Sequence, residues 1–292
     1  MYPAPLVGGL KRNGYHLGPK IGSGNYSTVR LATHIGRDGK NKLWACKIVD
    51  LAKCSEQTRE KFFPRELDIM TRVKHPHLLR VHCVVRCNEC VYIFMPYARR
   101  GDLFQYINKH GPLREPQAKE WFAQLLQAVH YLHSNGIAHR DVKCENLMIT
   151  DDGKLLLGDF GFAKQCWSVE PPASCGTRHH WSETFCGSAS YAAPEVITGQ
   201  RYDPMVADLW SMGIVLFMML NGALPFREPN MKQLVKLQTE RRYCFEPLLP
   251  KTPSAAAKAT IDHLLHPDPA QRIQMGALRK LSWVTGSPRH TK

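Results

Sequence analysis

A glycine-rich segment near the amino end has the composition of a phosphate-binding loop. Residues 22–29 read GSGNYSTV and lie between two runs of β-prone residues. Glycine places no side chain between the backbone and a phosphate, so backbone N–H groups can approach the anion closely. Taken alone, the segment is weak support for a phosphate-binding loop, because a plain hairpin turn explains its composition at least as well.

A lone lysine follows this segment and is suited to the same task. Lys47 lies in the β-prone run 44–49, whose alternation places its side chain on one defined face of a strand. An ammonium group there could neutralise phosphate charge. By itself, however, Lys47 is better explained as a solvated lysine of an edge strand.

Three later segments add carboxylates, an amide and a second lysine in a fixed order. They are residues 139–146 (HRDVKCEN), 159–161 (DFG) and 193–195 (APE). With the glycine loop and Lys47, they reproduce the signature set of protein kinases in order and spacing. The probability that all five motifs match by chance is negligible. The alternative interpretation of the motif set is an inactive protein with the same fold.

On these motifs the chain resembles the eukaryotic serine/threonine protein kinases over residues 15–283. Residues 63–67 (FPREL), the HRDVKCEN loop and residues 184–195 are similar to the testis-specific serine/threonine kinases, although calcium/calmodulin-type kinases share most of these residues. The resemblance implies an α+β, two-lobed kinase fold with a small β-rich N-lobe that has one main helix. The larger C-lobe is expected to be mainly helical.

The resemblance also sets expected boundaries within the chain. The N-lobe is expected at about residues 15–95, the hinge at 96–101 and the C-lobe at about 102–283. Short tails at residues 1–14 and 284–292 would flank this kinase domain. A small-molecule phosphotransferase of related fold is a weaker interpretation, because it would be expected to lack the APE segment and the loop around residue 184.

ATP is the phosphoryl donor that the resemblance implies, and it assigns positions for the nucleotide. Lys47 would hold the α- and β-phosphates while paired with Glu66. Pro96, where relatives often have Glu, keeps the carbonyl that the hinge needs, and Ala98 supplies the N–H donor. The other assigned ATP-binding positions are Ile21, Gly22, Ser23, Gly24, Val29, Ala45, Met95, Asp102 and Asn146.

Catalytic and metal-binding roles also follow from the resemblance. Asp141 would accept or orient the proton of the substrate hydroxyl, and Lys143 would steady the transferring phosphate. Tyrosine kinases typically lack this lysine, and Ser188 matches a hydroxyl that bonds both residues, so Ser and Thr hydroxyls of proteins are the expected acceptors. Asp159 and Asn146 offer hard oxygen ligands for Mg²⁺, or for Mn²⁺ in its place.

The same resemblance implies two structural supports. Asp208 is expected to anchor the backbone of the 139–146 loop, and Glu195 is expected to pair with Arg272.

Regulation is expected at Thr184, with Ser182 as the second choice. A phosphate on Thr184, added by an upstream kinase or by autophosphorylation, would pair with Arg140 and order the surrounding loop. Asp102 and Glu145 fall where related kinases hold acidic groups against substrate arginines, which predicts Arg three residues before the acceptor. Expression in sperm development is what the family resemblance implies.

The segments that must position these residues alternate between β-prone and helical patterns. A helical pattern over residues 55–73 should start or kink at Pro64, and a second runs from Pro116 to Gly136. Residues 147–149 and 154–157 are predicted to form a hairpin, and residues 165–183 a long polar loop. The predicted strands of the N-lobe are residues 15–21, 27–33, 43–49, 79–85 and 91–95.

Composition narrows the classes of protein that the chain can represent. Its 292 residues carry 39 Lys and Arg against 25 Asp and Glu, a net charge of +14. That charge would suit nucleic acid, but the basic residues are scattered and no recognition motif is present. No membrane partner is expected, since the apolar run 209–220 is too short for a bilayer span and is predicted to be a core helix.

Cysteine usage and the amino end favour an intracellular, cytoplasmic protein, and we expect a monomeric catalytic domain. No secretory segment is evident at the amino end, so the 10 cysteines are expected to be reduced thiols. Cys83, Cys87 and Cys90 leave a structural zinc site as an alternative, although strand, turn and strand is the favoured interpretation of that segment.

Overall fold

The computed structural model describes residue 10 and residues 14–24, 26–36, 41–167, 181–183, 186–245 and 252–286. These residues form two compact units. The first, called the sheet unit, contains the residues up to Lys74 together with Leu79–Arg99. The second, called the helical unit, contains His75–Leu78 and the residues from Arg100 onward. The predicted division into a β-rich part and a mainly helical part is therefore observed.

A five-stranded antiparallel sheet dominates the sheet unit, with strand order β1-β2-β3-β5-β4. One face carries a buried apolar cluster to which β3 contributes Trp44, Cys46 and Ile48 and β5 contributes Tyr92 and Phe94. Alternation along a strand leaves the other face to the residues between them. The strands are β1 (Tyr15–Ser23), β2 (Ser27–Ile35), β3 (Asn41–Asp50), β4 (Cys83–Cys87) and β5 (Cys90–Pro96).

One helix of the sheet unit, α1, spans Phe63–Arg72 and follows a wide turn of π-helical hydrogen bonding over Thr58–Phe62. Pro64 is the second residue after this π-helical stretch, so the predicted start or kink corresponds to the change from π-helical to α-helical hydrogen bonding and not to the beginning of the helical path. Met70 and Val73, within the segment predicted to be helical, are buried.

The predicted strand at residues 79–85 is partly wrong, because the ladder begins only at Cys83 and ends at Cys87. Leu79 is buried without belonging to the strand, so the apolar residues there serve packing and not pairing. Cys87 and Cys90 flank a tight turn at Asn88, whose φ is +51°, which confirms strand, turn and strand. No group of three His, Cys, Asp or Glu side chains within the described ranges is placed to hold a metal ion.

The helical unit is built around α5 (Pro204–Asn221), nearly all of whose residues are buried. This helix is long and apolar enough to cross a membrane, but 83% of it is buried within the fold. A Cβ on Gly213 would lie 2.8 Å from side-chain atoms of Leu264 and Leu265, so glycine permits the close approach of these elements. The predicted core helix is confirmed.

Seven further α-helices and two small sheets lie around this central helix among the described residues of the helical unit. Strand β6 (Ile137–Ala138) pairs with β9 (Lys164–Gln165), and β7 (Leu147–Ile149) pairs with β8 (Leu155–Leu157), the predicted hairpin. The helices are α2 (Leu103–His110), α3 (Glu115–Ser134), α4 (Pro194–Ile197), α6 (Met231–Thr239), α7 (Ala255–Leu264), α8 (Met275–Leu278) and α9 (Ser282–Thr285).

Candidate active site

The predicted ion pair between Lys47 and Glu66 is present in the sheet unit. Lys47 Nζ lies 2.9 Å from Glu66 Oε1, and the two side chains are 20% and 13% exposed. Lys47 is carried by β3 and Glu66 by the first turn of α1. The Glu66 carboxylate fixes the position of the long Lys47 side chain. The entropy that Lys47 would otherwise lose on binding a ligand is therefore already lost in the folded protein.

Strand register places the other predicted nucleotide residues of this unit with Lys47. Gly22 is the register partner of Val29, Val29 of Lys47, and Ala45 of Met95. Ala45 and Lys47 are two residues apart, so they share one face of β3. That face is opposite the one that carries the buried cluster around Trp44 and Cys46, so the sheet has one structural face and one face available for a ligand.

The glycine-rich segment forms the turn between β1 and β2. Gly24 N–H donates to the Ser27 carbonyl at 2.9 Å, and a Cβ on Gly24 would lie 3.0 Å from Ser27 Oγ. Ile21 is 42% exposed and Ser23 is also exposed. Ser23 and Gly24 are exposed and bear little or no side chain, so the backbone of this turn is accessible to a phosphate, and the exposed side chains of Ile21 and Tyr26 flank it.

The predicted hinge begins at the end of β5. Met95 is buried, Pro96 is the last residue of the strand and Ala98 is half-buried beyond it. Asp102 caps α2 by accepting hydrogen bonds from Gln105 N at 2.8 Å and from Gln105 Nε2 at 2.6 Å. Burial raises the pKa of Asp102, although these hydrogen bonds oppose the effect.

Asp141, Lys143 and Ser188 form a connected group in the helical unit. Lys143 Nζ lies 2.7 Å from Asp141 Oδ2 and donates to Ser188 Oγ at 2.9 Å. The Ser188 backbone N–H donates to Asp141 Oδ1 at 3.2 Å. Asp141 is only 4% exposed, so its carboxylate is held in one orientation by charged and polar donors.

Gly187 permits this group to assemble. Its φ is +87°, and a Cβ at this position would lie 2.7 Å from the Arg140 carbonyl oxygen and 3.1 Å from Asp141 Oδ1. Any other residue would be strained by the backbone conformation and would also collide with the loop that carries Asp141. In the sequence, only the presence of glycine between Cys186 and Ser188 indicated a special position. The close approach of this glycine to Arg140 and Asp141 is evident only in the structure.

Asn146 and Asp159 fit a site for a hard divalent cation. Asn146 Nδ2 donates hydrogen bonds to the Asp141 carbonyl at 2.8 Å and to Asp141 Oδ2 at 2.9 Å. Since the amide nitrogen is used in these bonds, the amide oxygen is the atom of this side chain that can bind a metal ion. The Gly158 N–H donates to the Asn146 carbonyl at 2.9 Å, which ties the segment before Asp159 to Asn146. Asp159 itself is exposed and has φ +58°, an unusual conformation for a non-glycine residue. One carboxylate and one amide suit a cation that takes its remaining ligands from phosphate and water.

The expected anchor of the 139–146 loop is observed at Asp208. Its carboxylate accepts the N–H groups of His139 at 2.8 Å and Arg140 at 2.7 Å, and His133 Nε2 lies 2.9 Å from Oδ2. Asp208 is 1% exposed, so three partners compensate a buried charge. The residue motif predicted the two backbone contacts, whereas the contact of His133 was not anticipated.

Glu195 and Arg272 form the expected pair, and both are buried. Arg272 Nη1 and Nη2 donate to the two carboxylate oxygens at 2.7 and 2.9 Å. The guanidinium also donates to the His266 carbonyl, and it lies over the ring of Trp210 at 5.2 Å. This bidentate pair joins α4 to the segment before α8 within the helical unit.

Of the two predicted phosphorylation sites, Thr184 lies outside the described residues and Ser182 is buried. Ser182 is 4% exposed and exchanges two backbone hydrogen bonds with Tyr202, each of 2.9 Å. Arg140 Nη2 donates to Cys186 Sγ at 2.6 Å. Burial raises the pKa of the Cys186 thiol, although Arg140 opposes the shift.

Comparison with known proteins identifies the class. The protein kinase domain family matches residues 15–284, so the chain belongs to the protein kinase family, and the predicted two-lobed α+β fold is confirmed. The chain is 37% identical to testis-specific serine/threonine-protein kinase 1 of Mus musculus over 276 residues, which cover 94% of this chain and 73% of that protein. The human protein of the same name is 36% identical over 284 residues, 96% of this chain and 75% of its own length.

A more distant relative is serine/threonine-protein kinase SIK2 of Gallus gallus, 34% identical over 286 residues, which are 98% of this chain and 33% of that protein. Together these similarities establish serine/threonine protein kinase activity, with ATP and a divalent metal ion as the family requires and proteins as substrates. The predicted similarity to the testis-specific kinases is also confirmed.

Proposed function

We propose that the chain transfers the γ-phosphoryl group of magnesium-bound ATP to serine and threonine hydroxyls, with Asp141 and Lys143 as the catalytic residues. The observation that carries the proposal is the 2.7 Å pair between Asp141 and Lys143, held by Ser188 in the helical unit. A buried carboxylate beside a fixed ammonium group can handle a proton and a transferring phosphate at one place.

The proposed sequence of steps in phosphoryl transfer is based on the contacts of Asp141 and Lys143. Asp141 accepts a hydrogen bond from the substrate hydroxyl and so points the oxygen lone pair at the phosphorus atom. The hydroxyl oxygen forms the new bond to phosphorus as the bond to the ADP oxygen breaks, and the hydroxyl proton passes to Asp141. Lys143 stabilises the negative charge on the phosphoryl oxygens throughout. In the sheet unit, Lys47 holds the α- and β-phosphates and is itself positioned by Glu66.

Magnesium is the proposed cofactor, held by Asp159 and Asn146, with manganese able to replace it. When bound, the cation neutralises phosphate charge and favours departure of ADP. The support is the donor set, since both residues offer oxygen and the fold ties Gly158 to Asn146. Asp102 is proposed to bind the ribose hydroxyls in addition to capping α2, since a carboxylate oxygen can accept more than one hydrogen bond.

Asp159→Asn should raise the Mg²⁺ concentration for half-maximal activity by about tenfold or more, because one anionic ligand is lost. The measurement is initial rate against Mg²⁺ at fixed ATP. Asp151→Asn, the same change at an exposed residue in the turn between β7 and β8, provides the matched control. Equal Mg²⁺ requirements in the Asp159→Asn variant and the wild type would show that Asp159 is not a ligand.

Activation is proposed to occur by phosphorylation of Thr184, by an upstream kinase or by the protein itself. Arg140 supports this proposal, because its guanidinium donates to the thiol of Cys186, two residues after Thr184. A neutral thiol is a weak acceptor, and a phosphate would be a much stronger one. Ser182 is buried and paired with Tyr202, which favours Thr184 over this second choice.

Thr184→Ala should lower activity by about tenfold, the effect of one lost charge-assisted hydrogen bond, and leave ATP affinity unchanged. Phosphatase treatment should reduce wild-type activity to the level of the variant and should not affect the variant further. Wild-type activity in Thr184→Ala would exclude this residue as the switch.

Substrates are proposed to carry Arg three residues before the acceptor. Glu145 supports this, because one of its carboxylate oxygens is buried without a hydrogen-bond partner among the described residues. An incoming guanidinium would satisfy such a carboxylate. A positional peptide library should select Arg at that position about tenfold over Ala, and Glu145→Gln should weaken the selection. Absence of basic selection in the wild type would refute the preference.

The cell context of the protein is proposed from its relatives. We propose a role in sperm development, and the support is the similarity to two kinases that are named testis-specific. We place the protein in the cytoplasm, acting as a monomeric catalytic domain without nucleic-acid or membrane partners.

A further inference from the structure

A groove of about 480 Å³ lies in the helical unit, along one side of α3. Its walls come from α3, from His75, from Arg279, which directly follows α8, and from the last two residues of α9, Val284 and Thr285. None of its lining residues belongs to the catalytic group around Asp141. We call it the α3 groove, and a volume of this size is within the range of ligand-binding sites.

The α3 groove has cationic and polar walls and no acidic lining residue. Arg279 is exposed, and no carboxylate among the described residues lies within 4.0 Å of its guanidinium. His130 and His75 contribute ring nitrogens, and Ser134 adds a hydroxyl group. Glu120 lies one turn before the groove on α3 and is not part of its lining.

The two histidines of the groove favour their neutral form. Burial, then the charge of Arg279 and the neighbouring His133, lowers the pKa of His130. Burial and His77 lower the pKa of His75. Burial is the first cause in both cases, so the neutral imidazoles are favoured, and Arg279 is the cation that an acidic ligand would meet in this wall.

The floor of the groove is apolar. Leu126 is buried, and the lining residues Ala123 and Val284 are half-buried. An aliphatic side chain could remove these surfaces from water while an acidic neighbour reached Arg279. The combination of an apolar floor and a cationic wall suits a ligand that has both kinds of group.

The length of the groove favours a peptide over a small anion. On α3 the lining runs from Ala123 to Ser134, and at 1.5 Å per residue this corresponds to about 16 Å. An extended chain of about five residues covers the same distance. The chain's own residues 287–292 include Arg289 and Lys292 and no acidic side chain, so charge does not favour them as the occupant.

We infer that the α3 groove is a docking site for an extended acidic–aliphatic segment of a partner protein. Carboxylates of the segment pair with Arg279 and accept hydrogen bonds from His130 and His75, while its aliphatic side chains cover Leu126. Such a site would recruit acidic proteins independently of the residues that carry out phosphoryl transfer.

Fluorescence anisotropy with a fluorescein-labelled peptide, Gly-Glu-Leu-Glu-Leu-Glu-Gly, tests this inference on the full chain. Arg279→Glu should weaken binding by about tenfold or more, because attraction at the groove becomes repulsion. Lys280→Glu is the matched control, since it makes the same charge change at an exposed residue outside the lining, and it should weaken binding less than about twofold. Unchanged phosphorylation of a generic protein by both variants would show that they are folded.

The competing outcomes are distinct. Loss of binding by the peptide in which Gln replaces Glu, together with the Arg279→Glu effect, supports the inference. Equal binding by both peptides, equal binding by wild type and Arg279→Glu, or no binding by wild type would overturn it. Displacement of the peptide by free glutamate at equal concentration would show a site for small anions, and this also contradicts a peptide-docking groove.

Discussion

Replacement of Asp141 by Asn should lower the turnover number by about a thousandfold, the scale of general acid–base catalysis. The amide keeps the size of the carboxylate but cannot take the hydroxyl proton, and it loses its attraction to Lys143, 2.7 Å away. ATP affinity should change little, because the proposed phosphate contact of Lys47 is not altered. Turnover at saturating ATP and nucleotide binding by fluorescence measure the two effects separately.

The control for this change is Asp152→Asn, which removes an exposed carboxylate of the same unit. That variant should retain wild-type turnover. A turnover number within about tenfold of wild type in Asp141→Asn would mean that Asp141 is not the group that handles the proton. A parallel loss of nucleotide binding would instead indicate that the substitution disrupts the folded site.

Replacement of Arg272 by Met should lower the free energy of unfolding by about 3–5 kcal/mol. Glu195 would then be left buried without its bidentate partner, and the hydrogen bond to the His266 carbonyl would also be lost. Removing one member of a buried pair costs more than the pair contributes, because the remaining charge stays out of water. Urea unfolding followed by circular dichroism measures the change.

Two further variants separate the charge effect from lost packing. Arg241→Met breaks a pair with Asp262 at 3.4 Å that is partly exposed, and it should cost less than about 1 kcal/mol. The double change Glu195→Leu with Arg272→Met should be more stable than Arg272→Met alone, because no buried charge remains. If the double variant were the least stable of the set, packing and not charge would account for the loss.

Motifs with fixed spacing allowed much of the site to be predicted from the sequence. Lys47 lies in β3 and Glu66 in the first turn of α1, both in the sheet unit. Whether the two side chains meet depends on the register of β3 in the sheet and on the helical turn that carries Glu66. The contacts of Asp208 and Arg272 join residues that are 68 to 77 positions apart in the chain, so local sequence does not determine them. The family resemblance supplied these pairings.

Features that depend on distant packing could not be predicted in this way. The register of β4 with β5 begins only at Cys83, which is paired with Phe94, whereas the buried apolar residue Leu79 gave the appearance of an earlier strand. Burial of Ser182 depends on Tyr202, a residue beyond the loop. The α3 groove joins His75, His130 and Arg279, which are far apart in sequence and carry no motif.

Phosphoamino-acid analysis of a generic protein substrate labelled with radioactive ATP tests the serine/threonine kinase assignment most directly. We expect label on serine and threonine, dependent on a divalent cation and abolished to background in Asp141→Asn. Label on tyrosine, or equal labelling by wild type and Asp141→Asn, would contradict the assignment.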